Sequence, residues 1–316
     1  MKNPSSKRQQ GAALLMMMLA LIAISSALAY QYLGEMNQKL KRQNNEQTVQ
    51  SLLLAKENLL TFAASEPQIY GFNNDGTPKS DTLVPGVGHL PCPDFDNDGD
   101  PDGNNCNTSL NDIIGRLPHQ QTGNYFLFSE HMSKSMSDVG GNESIWYAIS
   151  GYSGLNPDFR TVGGGTSGGV TKPRKEPLNN NIVETLRTKS CGAGVLCLDN
   201  KPVVALLIIA GSSLSNQSRN NPLDYKQFLD SDNGDSDPWR FISAPSLNTC
   251  TLAGKNLFGS QCFNDRVLAI TIDDWKAAMW QRVRSDKDWK SMCEGSLSST
   301  HWLVRNEWLS VSGICN

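Results

Sequence analysis

The first 91 residues contain no cysteine, and from Ala12 to Ala64 there is no proline and a single glycine, Gly34. A stretch so poor in breakers excludes a loop-rich beginning and favours helix. No C-x-x-C pair occurs, which removes the usual zinc-ribbon and thioredoxin spacings. The four histidines, His89, His119, His131 and His301, are scattered, with no H-E-x-x-H, so each reads as a surface or structural side chain. No phosphate-binding glycine loop opens a helix. "GTSGG", residues 165 to 169, fits G-x-S-x-G by letter, but its flanks "TVGG" and "VTKPRKEP" lack the strand and helix that a nucleophile elbow needs. It reads as a mobile loop, and the chain as a non-enzyme. A basic excess is missing as well. Lys and Arg number 28 against 31 Asp and Glu, for a net charge of -3, which argues against a nucleic-acid partner.

What is present begins with "SKRQQGAALLMMMLALIAISSALAYQYLGEM", residues 6 to 36. Residues 1 to 11 carry Lys2, Lys7 and Arg8 and no acid. The run from Ala12 to Tyr30 is almost wholly apolar and about long enough to cross a bilayer as a helix. The positive leader stays on the cytoplasmic side under that reading, and the chain beyond residue 33 lies outside. Ala27 and Ala29 also form the small-x-small pattern that signal peptidase prefers. Cleavage there would release a soluble periplasmic binding protein or hydrolase beginning at Tyr30. With no cleavage, the run would be a stationary membrane anchor.

Beyond the apolar run, Met36, Leu40, Val49, Leu52, Leu53, Leu59, Leu60 and Phe62 recur mostly three or four residues apart among Lys, Glu, Gln and Asn. That spacing predicts an amphipathic helix over 34–65 continuing the apolar one over 12–33. One rod of about 50 residues would be roughly 80 Å long.

This N-terminus resembles the type IV pilin and type II secretion pseudopilin superfamily: a short basic leader ending in Gly11, an apolar run directly after it, and a helix that turns amphipathic on leaving the membrane. The resemblance implies cleavage by prepilin peptidase between Gly11 and Ala12, methylation of the new N-terminus, and retention of the apolar helix. That helix would anchor the subunit in the inner membrane and later pack against other pilins or pseudopilins. The fifth mature residue is Met16, where most of the family has Glu. A carboxylate in hydrocarbon is costly unless paired. Its absence matches K-type pseudopilins and X-type minor pilins, and implies a minor, tip-proximal subunit.

A second resemblance covers about residues 1 to 270. The order "LLLAKENLLTFAA", "GVGHLPCPDFDNDGD", a further Cys and "GRLP", with "VVALLIIAGSSLSNQSR", "DYKQFLDSDNGD" and "NDRVLAITIDD" later, is similar to a group of large bacterial pilin-like proteins. It implies a location more than an action: single-pass in the inner membrane with a periplasmic C-terminal domain, then in a filament or at the cell surface.

All eight cysteines come after the apolar run and fall into sequence neighbours: Cys92 and Cys106, Cys191 and Cys197, Cys250 and Cys262, Cys293 and Cys315. An even set behind an export signal reads as disulfides, and short loops favour the local pairing. Between the first two cysteines, Asp94, Asp96, Asp98, Asp100 and Asp102 alternate, with Gly99 among them. Hard oxygens at every second residue around a glycine turn suit calcium. The twelfth position of an EF-hand, a Glu, is here Asn105, so the choice lies between a different kind of calcium loop and a solvated acidic turn. A second acidic stretch, "DSDNGDSDPW" from Asp230, has looser spacing and reads as an exposed loop.

"KPVVALLIIAG" from Lys201 is continuously apolar and predicts a strand buried on both faces. "RVLAITI" from Arg266 and "SIWYAISG" from Ser144 predict two more, and helices are expected over 274–284 and near 181–188. A glycine-rich, basic stretch over about 161–181 reads as an inserted loop. The expected class is α+β: a leader over 1–11, a long N-terminal helix, and a β-rich, disulfide-tied domain over 66–316.

Overall fold

The computed structural model describes residues 39, 46–68, 77, 84, 86–99, 101, 114–118, 121–122, 125–126, 145–151, 157–160, 178–192, 194–211, 213–214, 217–230, 233–234, 237–243 and 263–316. The chain divides into two compact units, Met1–Gln47 and Thr48–Asn316. Gly11, Ala12, Ala29 and the apolar run over 12–33 lie outside the described residues. Among the described residues no helix is long and apolar enough to cross a membrane.

The larger unit is α+β, as its composition implies. A helix over 46–68 (α1) leads in. Strands β1 (Ile114–Arg116), β2 (Gln121–Thr122), β3 (Tyr125–Phe126) and β4 (Trp146–Ile149) come next, then helix α2 (Asn180–Glu184) and a 3-10 turn Thr185–Thr188. Strands β5 (Cys197–Leu198), β6 (Lys201–Pro202), β7 (Ala205–Ile209), β8 (Arg240–Phe241) and β9 (Arg266–Ile270) lead to helices α3 (Ile272–Arg284), α4 (Trp289–Cys293) and α5 (Trp302–Arg305). The main sheet has the order β1-β4-β7-β9 and is antiparallel throughout. The described residues also hold a small sheet, β6-β5-β8, and the antiparallel pair β2–β3.

The three strands expected from apolar runs are neighbours in the main sheet. β7 lies between β4 and β9 and is buried along its whole length, so both of its faces must be apolar. The strand period of two then sorts side chains onto opposite faces. Tyr147, Ile149, Leu207, Ile209 and Ile270 share one core with α1, α3 and the C-terminal helices. Trp146, Ala148, Leu206, Ile208 and Ala269 share the other with Phe228, Leu229, Trp239 and Phe241. The sheet is therefore covered on both sides.

On α1 the buried positions are Leu52, Ala55, Leu59, Phe62 and Ala63, a stripe at helical spacing. Burying a Leu or Phe there contributes about 1.5–3 kcal/mol. Val49 and Leu53, expected on the same apolar face, are instead 49% and 50% exposed. At 100° per residue they fall on an adjacent stripe, about 60–100° round from Leu52. The helix also runs past the expected end at 65 to residue 68. Lys56 ties it down: its ammonium meets the Asp274 carboxylate at 2.6 Å and the Ala269 carbonyl at 3.1 Å.

α3 starts two residues before its expected beginning because Thr271 caps it. The Thr271 hydroxyl accepts the Asp274 N–H while the Asp274 carboxylate accepts the Thr271 N–H, a capping box. Asp273 and Asp274 in its first turn and Arg282 and Arg284 in its last complement the helix dipole. Ile272, Trp275, Met279 and Val283 form its buried face. The inserted loop ends sooner than expected: Leu178, Asn179 and Asn180 are already buried. The Asn179 side chain accepts the N–H groups of Asn181 and Ile182 and donates to the Asn306 carbonyl, so the residues before α2 are a cap rather than a tail of the loop. Residues 161–177 lie outside the described residues. Disulfides Cys191–Cys197 and Cys293–Cys315 are formed, with Cα separations of 5.7 and 5.5 Å. Cys92 is also disulfide-bonded; Cys106, Cys250 and Cys262 lie outside the described residues.

Candidate functional site

The segment that carries the acidic turn is fixed before the turn begins. His89 is buried against Glu66 on the last turn of α1, with ring nitrogen and carboxylate 3.1 Å apart. Leu90 then donates its N–H to the Phe159 carbonyl, and Asp94 exchanges two backbone hydrogen bonds with Arg116 of β1, at 3.0 and 2.6 Å. Gly115, opposite, has no room for a side chain: a Cβ there would lie 2.4 Å from the Asp94 carbonyl oxygen. The close approach of these two backbones sets where the turn starts.

Asp94 itself is buried, while Asp96 and Asp98 are exposed. The Asp94 carboxylate accepts the N–H of Asn97 at 2.5 Å and of Gly99 at 2.8 Å, and the Asp96 carboxylate accepts the Asp98 N–H at 3.2 Å. Asn97 and Gly99 take left-handed backbone angles, φ 62° and 97°, which those residue types tolerate. The chain thus curls over its own first carboxylate. Burial pushes the Asp94 carboxyl above its usual range; the Gly99 and Asn97 N–H groups oppose that, and the charges of Asp98 and Asp96 add to it.

One carboxylate oxygen from each of Asp94, Asp96 and Asp98 lies within 4.8 Å of the others. Like charges so close repel, and a hard divalent cation would convert that repulsion into shared attraction. Asp100 and Asp102, also expected to contribute, lie outside the described residues. Three of the five carboxylates are therefore brought together.

The other sites considered from sequence resolve differently. His301 caps α5, its ring accepting the Leu303 N–H at 3.3 Å, and approaches Asp288 at 3.4 Å. His119, His131 and "GTSGG" lie outside the described residues. The second acidic stretch is not simply exposed: Asp230 is fully buried and bonded to a second buried carboxylate, Asp265. Sequence reasoning missed this pair because its halves lie 35 residues apart. The one available signal was an Asp immediately before the apolar strand that begins at Arg266.

No protein-family model, curated protein or solved structure matches the chain.

Proposed function

We propose that this chain is a structural subunit of a type IV pilus or type II secretion-type filament, a minor pilin or pseudopilin-like protein near the tip. Prepilin peptidase would cut between Gly11 and Ala12. The subunit would wait in the inner membrane with residues beyond 33 in the periplasm, and then join other pilins or pseudopilins through its N-terminal helix. The observation that carries this reading is the order of three segments: a basic leader ending in glycine, an uncharged apolar run, and a long amphipathic stretch joined to it with no proline and only Gly34 between. The packing of α1 on an antiparallel sheet supports it. So does the half-exposed stripe of Val49 and Leu53, which leaves apolar surface beside the stripe that the sheet uses. Formed disulfides suit an oxidising compartment.

The mature N-terminus tests the reading directly. Sequencing that begins at N-methylated Ala12 supports it. A start at Tyr30 assigns the chain to the soluble periplasm, and a start at Met1 to a stationary anchor. Gly11→Leu should leave the chain uncut, because the family's peptidase accommodates only a small residue there. Normal maturation of Gly11→Leu, with cleavage blocked in Ala29→Leu, would overturn the proposal.

We further propose that the acidic turn binds calcium through Asp94, Asp96 and Asp98, with Asp100 and Asp102 completing the ligands. The proximity of three carboxylates on a turn with an anchored start is what favours it.

A further inference from the structure

We draw no further inference here: the strongest candidate, the exposed apolar face of α1 that carries Val49, Leu53 and Leu54, is an unpartnered surface, and nothing in the structure shows what covers it.

Discussion

The Gly88 N–H donates to the Ala63 carbonyl over 2.8 Å, filling the place of the helical donor that Pro67, four residues on, does not have. The next carbonyl, Ala64, is taken by the Arg282 side chain at 3.0 Å. The end of α1 is thus closed by the loop after it and by α3. Gly88 is needed there for two reasons. Its φ is 109°, and a Cβ would lie 2.2 Å from the Trp275 ring, whose Nε1 donates to the Gly88 carbonyl at 2.8 Å. Gly88→Ala should cost about 2–4 kcal/mol from backbone strain and overpacking together. A melting temperature equal to wild type would show that the approach is looser than described.

The two described disulfides close loops of different length, with separations of 22 residues for Cys293–Cys315 and 6 for Cys191–Cys197. Loop-closure entropy assigns about 3 kcal/mol to the first and about 2 kcal/mol to the second. The Cys293→Ser, Cys315→Ser double variant should therefore unfold at lower denaturant than the Cys191→Ser, Cys197→Ser one. The reverse order would show that packing at the replaced sulfurs outweighs chain entropy.

Asp274 predicts an acid limb of stability. Burial pushes its carboxyl up, but Lys56 and the Thr271 hydroxyl and N–H outweigh that and hold it below 3.8. A carboxyl depressed in the folded state contributes stability that is present above 3.8 and lost as pH falls through its folded value. Lys56→Met should flatten stability below about pH 4 relative to wild type, by under about 1 kcal/mol because the pair is partly solvated. Parallel acid limbs in the two proteins would mean that Lys56 does not act on Asp274.

Calcium should raise the melting temperature of the full-length chain. At 100 times its dissociation constant, a ligand specific for the folded state adds about 2.7 kcal/mol. Asp94→Asn should abolish most of that rise, because Asn97 and Gly99 curl around the Asp94 carboxylate. Magnesium should substitute poorly, since it dehydrates reluctantly. Superimposed melts with calcium and with chelator would leave the turn as a solvated acidic loop.

The parts of this fold legible in the sequence are those whose partners impose a long, simple pattern. β7 is apolar at every position because it is covered on both faces, and Ile272, Trp275, Met279 and Val283 repeat at helical spacing because one face of α3 is buried. β1 offered no such signal: it is three residues long, and its central Gly115 is there for a backbone contact. The region over 289–316 was missed because α4 and α5 have five and four residues, too short for a period to register. Val49 and Leu53 read as core because periodicity reports apolar positions and not which stripe the sheet covers. Asp94, Asp96 and Asp98 were visible as an alternating run. Asp230 was misjudged because turn-forming composition carries no information about a buried partner 35 residues away.

The place of α1 in the chain has a consequence for how the core is completed. Leu59 of α1 shares one buried core with residues of β7 and α3, roughly 150 and 215 positions later, so the first helix of that core is the last to be sheltered. Contacts of that span form slowly. During synthesis the stripe of Leu52, Leu59 and Phe62 stays bare until Trp275 has been added. During that interval the stripe is exposed apolar surface, the kind through which incomplete chains misassemble.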